Sequence, residues 1–263
     1  MDFISQHITS KDNSVIKNFR KLMTSKKERR LKRQFVLEGS RLVFDALKNN
    51  APVTKILVTE SALEKFCGEL EKYRSREIIR ISDELGNKIS DTGNTQGVFA
   101  QCDFMEECGV LKTLKAHGRY AVLSGLQDPG NAGMIIRTAD AMGLDGVIFS
   151  GSCDIYNPKV IRATMGSVFR IPVFSDIEED DVFMKLSAAQ IPSYAAVVNM
   201  EACDVKSVDF SNGGAIFIGN EGNGLSEKTV SKCTYSITIK MNGNIESLNA
   251  AMATGIIMWE LTK

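Results

Sequence analysis

The chain has 263 residues, 43% hydrophobic and 24% charged, which suits one large or two modest globular domains and excludes wholesale disorder. Its 32 lysines and arginines balance 32 acids, so total charge names no partner, and two histidines disfavour His-rich metal sites and most Ser–His or Cys–His hydrolases. No apolar run nears the ~18 residues that cross a bilayer, the start lacks a signal-peptide pattern, and the six cysteines show no C-x-x-C or zinc spacing. A cytoplasmic protein with free thiols and no metal is expected. Neither histidine is given a role: His7 is expected at a frayed end and His117 in a linker.

Charge is concentrated near the N-terminus. Residues 17–33 hold Lys17, Arg20, Lys21, Lys26, Lys27, Arg29, Arg30, Lys32 and Arg33 against one acid, Glu28. Such a run reads as a basic arm that contacts nucleic-acid phosphates; a solvated helix face or a flexible tail is the bland alternative. Strands are then predicted at 35–39, 53–59, 77–81 and 96–102. Helices fill the gaps: 41–48 with Ser40 as its cap, 61–73, and 82–90. This first α/β unit spans 1–105. Residues 106–118 are polar and read as a linker.

A second α/β unit covers 119–263. Strands are predicted at 120–124, 145–149, 171–174, 193–198, 215–218 and 235–239. Helices are predicted at 131–142, 158–165, 182–190, 226–233 and 247–261. The alternation implies a mostly parallel sheet, whose ligands bind beyond the carboxyl ends of the strands. Three loops sit there.

In the first, Gln127-Asp128-Pro129-Gly130-Asn131, Pro129 and Gly130 turn the chain and Asn131 can cap the helix. Arg137 lies off that helix's apolar stripe. Spacing favours a pair with Asp140 at i,i+3; the alternative is an arginine facing phosphate or a polar substrate. The second loop, Gly219-Asn220-Glu221-Gly222-Asn223-Gly224, implies close backbone approach to something. It is neither the dinucleotide fingerprint nor a P-loop, which counts against a nicotinamide-dependent dehydrogenase. The third runs from Ile239 through Met241 and Gly243 to Ser247-Leu248-Asn249, followed by the small residues Ala250, Ala251, Ala253 and Gly255.

Together and in this order, the loops resemble the SpoU (TrmH-type) family of RNA ribose 2′-O-methyltransferases in the knotted SPOUT superfamily. Asn131-Ala132-Gly133-Met134-Ile135-Ile136-Arg137 matches N-x-G-x-x-x-R, Gly219–Gly224 matches G-x-E-G-x-G, and Met241, Gly243 and Ser247-Leu248-Asn249 match the third motif. Arg162-Ala163-Thr164-Met165-Gly166-Ser167 also fits. Residues 1–105 are similar to the family's substrate-binding domain, a small α/β fold shared with certain large-subunit ribosomal proteins. Two departures stand out: Lys240 replaces a usual proline and Ala250 a usual valine.

The resemblance implies a trefoil-knotted α/β domain, a homodimer, and S-adenosylmethionine held by Gly219, Asn220, Gly222, Ile239, Met241 and Leu248. It implies catalytic roles for Arg137, Asn131, Glu221, Ser247 and Asn249, with RNA, ribosomal rather than transfer, held on the basic run. Arginine almost never deprotonates, so a phosphate clamp suits Arg137 better than a general base. Both departures are tolerable within the family pattern, and the sequence leaves the effect of Lys240 beside the cofactor loop open. The competing readings are a transfer RNA 2′-O-methyltransferase and an RNA-binding protein without catalysis.

Overall fold

The computed structural model describes residues 3–93, 95–105, 111, 113–199, 201–243 and 245–263. Part of the expected linker (106–110 and 112), with Cys108, lies outside them, as does Asn244 of the third loop. In chain order the elements are β1 (Ile4–Ile8), α1 (Ser14–Thr24), α2 (Lys26–Lys32), β2 (Gln34–Glu38), α3 (Ser40–Lys48), β3 (Val53–Thr59), α4 (Glu60–Glu71), β4 (Glu77–Ile81), α5 (Asp83–Ile89) and β5 (Val98–Asp103). There follow β6 (Arg119–Ser124), α6 (Pro129–Ala141), β7 (Gly146–Ser150), α7 (Pro158–Ala163), β8 (Val173–Phe174), α8 (Glu179–Ala188), β9 (Ser193–Ala196) and β10 (Cys203–Asp204). The chain closes with β11 (Gly214–Ile218), α9 (Glu227–Lys232), β12 (Tyr235–Thr238) and α10 (Ala250–Leu261). No helix among the described residues is long and apolar enough to cross a membrane.

The chain divides into two compact units, residues 1–106 with 156–169, and residues 107–155 with 170–263. The segment 156–169, read from sequence as part of the second unit, groups with the first. Its anchor is Tyr156, whose ring stacks on Phe104 at 3.9 Å and whose hydroxyl accepts from the Met105 N–H at 3.1 Å. In the other direction, Leu111 and Leu114 of the expected linker are buried in the core of the second unit.

Among the described residues, the first unit carries a five-stranded sheet in the order β1-β4-β3-β5-β2. β1, β4 and β3 run parallel, and β5 is antiparallel to both β3 and β2. β1 escapes the sequence reading because only Ile8 of its five residues is buried, so no alternation marks it. His7 therefore sits in a strand rather than a frayed end, its Nδ1 2.9 Å from Arg80 Nη2. The basic run is no flexible arm. It forms two helices broken at Ser25, whose side chain caps α2. α1 buries Ile16, Phe19 and Leu22 in the unit's core, so apolar burial fixes the helix and leaves its cations outside.

One cation of the run departs from the expected nucleic-acid face. Arg29 is only 3% exposed, and its Nη1 donates to the Leu22 carbonyl at 2.7 Å and, at 3.4 Å, to that of Met23. It satisfies carbonyls that the end of α1 would otherwise orphan. Arg29→Ala should cost about 2 kcal/mol of stability, the value of charged hydrogen bonds to buried acceptors. RNA affinity should stay within about twofold once the variant is folded. Thermal unfolding and an RNA titration check this.

Among the described residues, the second unit carries a seven-stranded sheet, order β10-β12-β9-β11-β6-β7-β8, in which every pairing is parallel. Every residue of β7 and β11 is buried, as two covered faces require. β6 feeds β7 on one side while β11 pairs on its other side, so the sheet order reverses beside β6. The loops after β6, β11 and β12 open at the carboxyl ends of their strands, where such a reversal leaves a crevice.

Candidate active site

The loop after β11 closes on itself. Asn220 N–H donates to the Gly224 carbonyl at 3.0 Å, and Gly224 N–H donates back to Asn220 at 2.9 Å. Asn220 Oδ1 accepts from the N–H groups of Gly222 at 3.0 Å and Asn223 at 3.1 Å, and its Nδ2 donates to the Gly125 carbonyl at 3.2 Å. Asn220 thus ties the turn to the loop after β6. Gly219 has no room for a side chain: a Cβ there would lie 2.1 Å from the Gly224 carbonyl carbon. Gly224 has φ +66°, the left-handed region that glycine enters without cost.

Glu221 projects from this turn. Its Oε1 accepts from Asp128 N–H at 2.9 Å and Asn131 Nδ2 at 3.2 Å, and its Oε2 from Gln127 N–H at 3.1 Å. Asn131 is 8% exposed and passes the network on, its Oδ1 accepting from Asn249 Nδ2 at 2.9 Å. Asn249 Oδ1 accepts from the Ala251 and Met252 N–H groups at 2.9 and 3.2 Å, capping α10. Three loops that lie far apart in sequence are joined by Glu221, Asn131 and Asn249. The expected cap of α6 is corrected here: Asp128, not Asn131, caps it, accepting from Asn131 N–H at 2.7 Å. Asp128 frees the Asn131 amide for the network.

Burial of Glu221 works to raise its pKa, but the Asp128 and Gln127 N–H groups and the Asn131 amide outweigh it and hold the carboxyl below the ordinary glutamate range. Its folded value is depressed, so its stabilising contribution is complete above the unfolded value, about 4.3, and is lost as pH falls through the lower folded one. The Tm difference between wild type and Glu221→Gln should therefore hold from pH 7 to 5 and shrink below about pH 4. A difference already shrinking between pH 7 and 5 would contradict this sign.

Beside the network lies a cavity of about 440 Å³. The turn 219–225 and residues 239, 241, 247 and 248 line it, with Ala196, Val197, Val198, Ile218, Ile237, Thr238, Ala250, Ala253 and Ile257. The cofactor residues expected from sequence, Gly219, Asn220, Gly222, Ile239, Met241 and Leu248, all stand in this wall, together with Glu221 and Ser247. Lys240 does not. It is exposed and absent from the lining, while its neighbours Ile239 and Met241 belong to it. Sequence reasoning missed the contribution of Ala196, at the end of β9, and of Val197 and Val198 just after it, which becomes visible only once β9 is known to lie between β11 and β12.

Arg137 stands apart from this wall. It is exposed on α6, and its guanidinium makes no hydrogen bond or ion pair among the described residues. The pair with Asp140 that spacing favours does not form: Arg170 Nε takes Asp140 at 2.9 Å instead. Ser247 is exposed at the cavity.

An apolar cleft of this size, floored by a glycine turn too tight for a Cβ and rimmed by backbone polar groups, suits an adenosine-bearing ligand. Residues 118–259 match the SpoU rRNA Methylase family, and residues 13–100 match the MRM3-like substrate binding domain. The chain belongs to the SpoU rRNA methylase family. It is 31% identical to the 23S rRNA (guanosine(2553)-2′-O)-methyltransferase RlmP of Bacillus subtilis, over 97% of this chain and 99% of that one. It is 30% identical to the 23S rRNA (uridine(2479)-2′-O)-methyltransferase of Streptomyces viridochromogenes, over 98% of this chain and 92% of the other. Among solved structures it resembles the AdoMet-bound rRNA methyltransferase of Sinorhizobium meliloti, with a TM-score of 0.85, 30% identity, and coverage of 97% and 96%.

Proposed function

We propose that this protein transfers a methyl group from S-adenosylmethionine to a ribose 2′-hydroxyl of ribosomal RNA. The observation that carries the reading is the cavity walled by the glycine turn after β11 and the loop after β12, braced by Glu221, Asn131 and Asn249. When bound there, S-adenosylmethionine supplies an electrophilic methyl on a sulfonium. The chain's own work is positional. Ile218, Ile237, Leu248 and Ile257 give the adenosine an apolar bed, and the backbone of 219–224 offers polar contacts at its edge. Ser247 faces the same space and can orient the donor or the ribose by hydrogen bonding.

Glu221, Asn131 and Asn249 are positioning residues, since their polar atoms are engaged with one another and with backbone. Arg137 is the group left to meet RNA: permanently charged and without a protein partner, it clamps a phosphate and stabilises negative charge growing on the 2′-oxygen. The exposed cations of α1 and α2 hold further phosphates without reading sequence.

The reading includes a trefoil knot formed by the segment after β11, and a homodimer. Support for the dimer comes from α6 and α10, which pack together and leave Met134, Met252 and Trp259 at least half exposed. The reading also takes the protein as cytoplasmic, in line with its bacterial rRNA methyltransferase relatives.

A binding comparison tests the cofactor. S-adenosylmethionine at about 100 times its Kd should add about 2.7 kcal/mol, a Tm rise of roughly 5–10 °C for a chain of this size. NAD at the same concentration should leave Tm unchanged. A shift with NAD alone would overturn the reading.

A further inference from the structure

A second cavity, about 310 Å³, opens on the first unit between the turn before α1, α1 itself and α5. Its floor is aliphatic: Ile16, Leu85 and Ile89, all at most 3% exposed. Its rim is cationic: Lys11, Arg20 and Lys88. The acids nearby are already engaged. Asp12 pairs with Lys17 at 2.9 Å, and Glu84 with Lys88 one helical turn away. Arg20 makes no ion pair among the described residues, and Lys11 has only the charge of Asp12, which it shares with Lys17. One unpaired cation and two half-compensated ones thus surround an apolar floor that offers no hydrogen bonds of its own.

We propose that Lys11, Arg20 and Lys88 form a phosphate-binding track for the RNA substrate, an inference that rests on the function proposed above. The arrangement suits a polyanion whose charges are spaced along a chain. The phosphates reach the three cations across the aliphatic floor. Arg20 belongs to the basic run, but Lys88 comes from the far end of α5 and Lys11 from before α1. The footprint is therefore a surface of the folded unit, not a linear arm. The unpaired, exposed Lys21, Lys26 and Lys27 on α1 and α2 extend it.

The test uses the full-length protein and an unmodified bacterial 23S rRNA transcript, with Kd measured across a KCl series. The variant Lys11→Gln/Arg20→Gln/Lys88→Gln should bind roughly 10- to 100-fold more weakly, and its log Kd against log salt slope should fall by about 2–3, close to one per lost phosphate contact. S-adenosylmethionine affinity and Tm should match wild type, which a merely structural role would not allow. Restoring charge with Lys11→Arg/Arg20→Lys/Lys88→Arg should restore both affinity and slope. A control with equal charge loss elsewhere, Lys48→Gln/Lys72→Gln/Lys228→Gln, should leave the slope within one unit of wild type. If the first variant behaves like the control while wild type binds and methylates the transcript, this inference falls and the methyltransferase reading stands. If wild type binds neither transcript nor cofactor, both fall.

Discussion

Replacing Arg137 by alanine should lower methyl transfer to RNA by about 10²–10³-fold while leaving Tm and cofactor affinity at wild-type values. The magnitude is that of removing one preorganised group aimed at developing negative charge. The separation of effects follows from the geometry. Arg137 is exposed on α6, spends no hydrogen bond on the fold, and lies outside the cofactor wall, so its removal orphans nothing. Arg137→Lys should recover only part of the rate, since a point charge replaces a planar fork. Single-turnover transfer from labelled S-adenosylmethionine, alongside a cofactor titration, checks this. If Arg137→Ala weakened cofactor binding as much as turnover, the phosphate-clamp role would be wrong.

Gly219→Ala should do the opposite, destroying cofactor binding before chemistry is reached. The added methyl would lie 2.1 Å from the Gly224 carbonyl carbon and 2.3 Å from its oxygen, both backbone atoms that cannot rotate away. The turn must open, and the reciprocal Asn220–Gly224 hydrogen bonds must stretch or break. Overpacking of this kind costs about 1–3 kcal/mol, a Tm loss of roughly 2–12 °C. Because the same turn walls the cavity, cofactor affinity should drop at least tenfold. Gly222→Ala is the control: a Cβ there comes no closer than 3.5 Å to another side chain, so Tm should hold. Calorimetric titration of both variants gives the answer.

Much of this was legible in the sequence because it rests on local rules. Strands such as β3 and β4 fall where the β-branched runs predicted them, and the glycine turn after β11 announced a close approach. The misreadings share a cause: each depended on a partner distant in the chain. Asn131 looked like a cap because it directly precedes the apolar stripe, but Asp128, one turn earlier, accepts from the Asn131 N–H and leaves the Asn131 side chain to Glu221 and Asn249. Ser40 looked like the cap of α3, yet Gly39 holds that position and the Ser40 hydroxyl donates to Gln96 Oε1 at 2.8 Å. Asp140 was assigned to Arg137 by helical spacing and taken by Arg170, thirty residues on. Spacing sees only neighbours along the chain.

The same limit shaped the reading of charge. The run at 17–33 was visible at once, but not that Arg29 turns inward or that Lys88 joins Arg20 at one cavity. Motif order gathered the expected cofactor residues into one cavity wall because the three loops follow β6, β11 and β12, and parallel pairing brings those strand ends to one side of the sheet.

The central claim is the transfer of a methyl group to a ribose hydroxyl of ribosomal RNA. Purified protein incubated with an unmodified bacterial 23S rRNA transcript and methyl-deuterated S-adenosylmethionine, followed by nuclease digestion and mass spectrometry of the nucleosides, tests it directly. The account predicts deuterium on the 2′-oxygen of one nucleotide, absent with Arg137→Ala. Deuterium on a base, or none in the RNA while the cofactor binds, would contradict it.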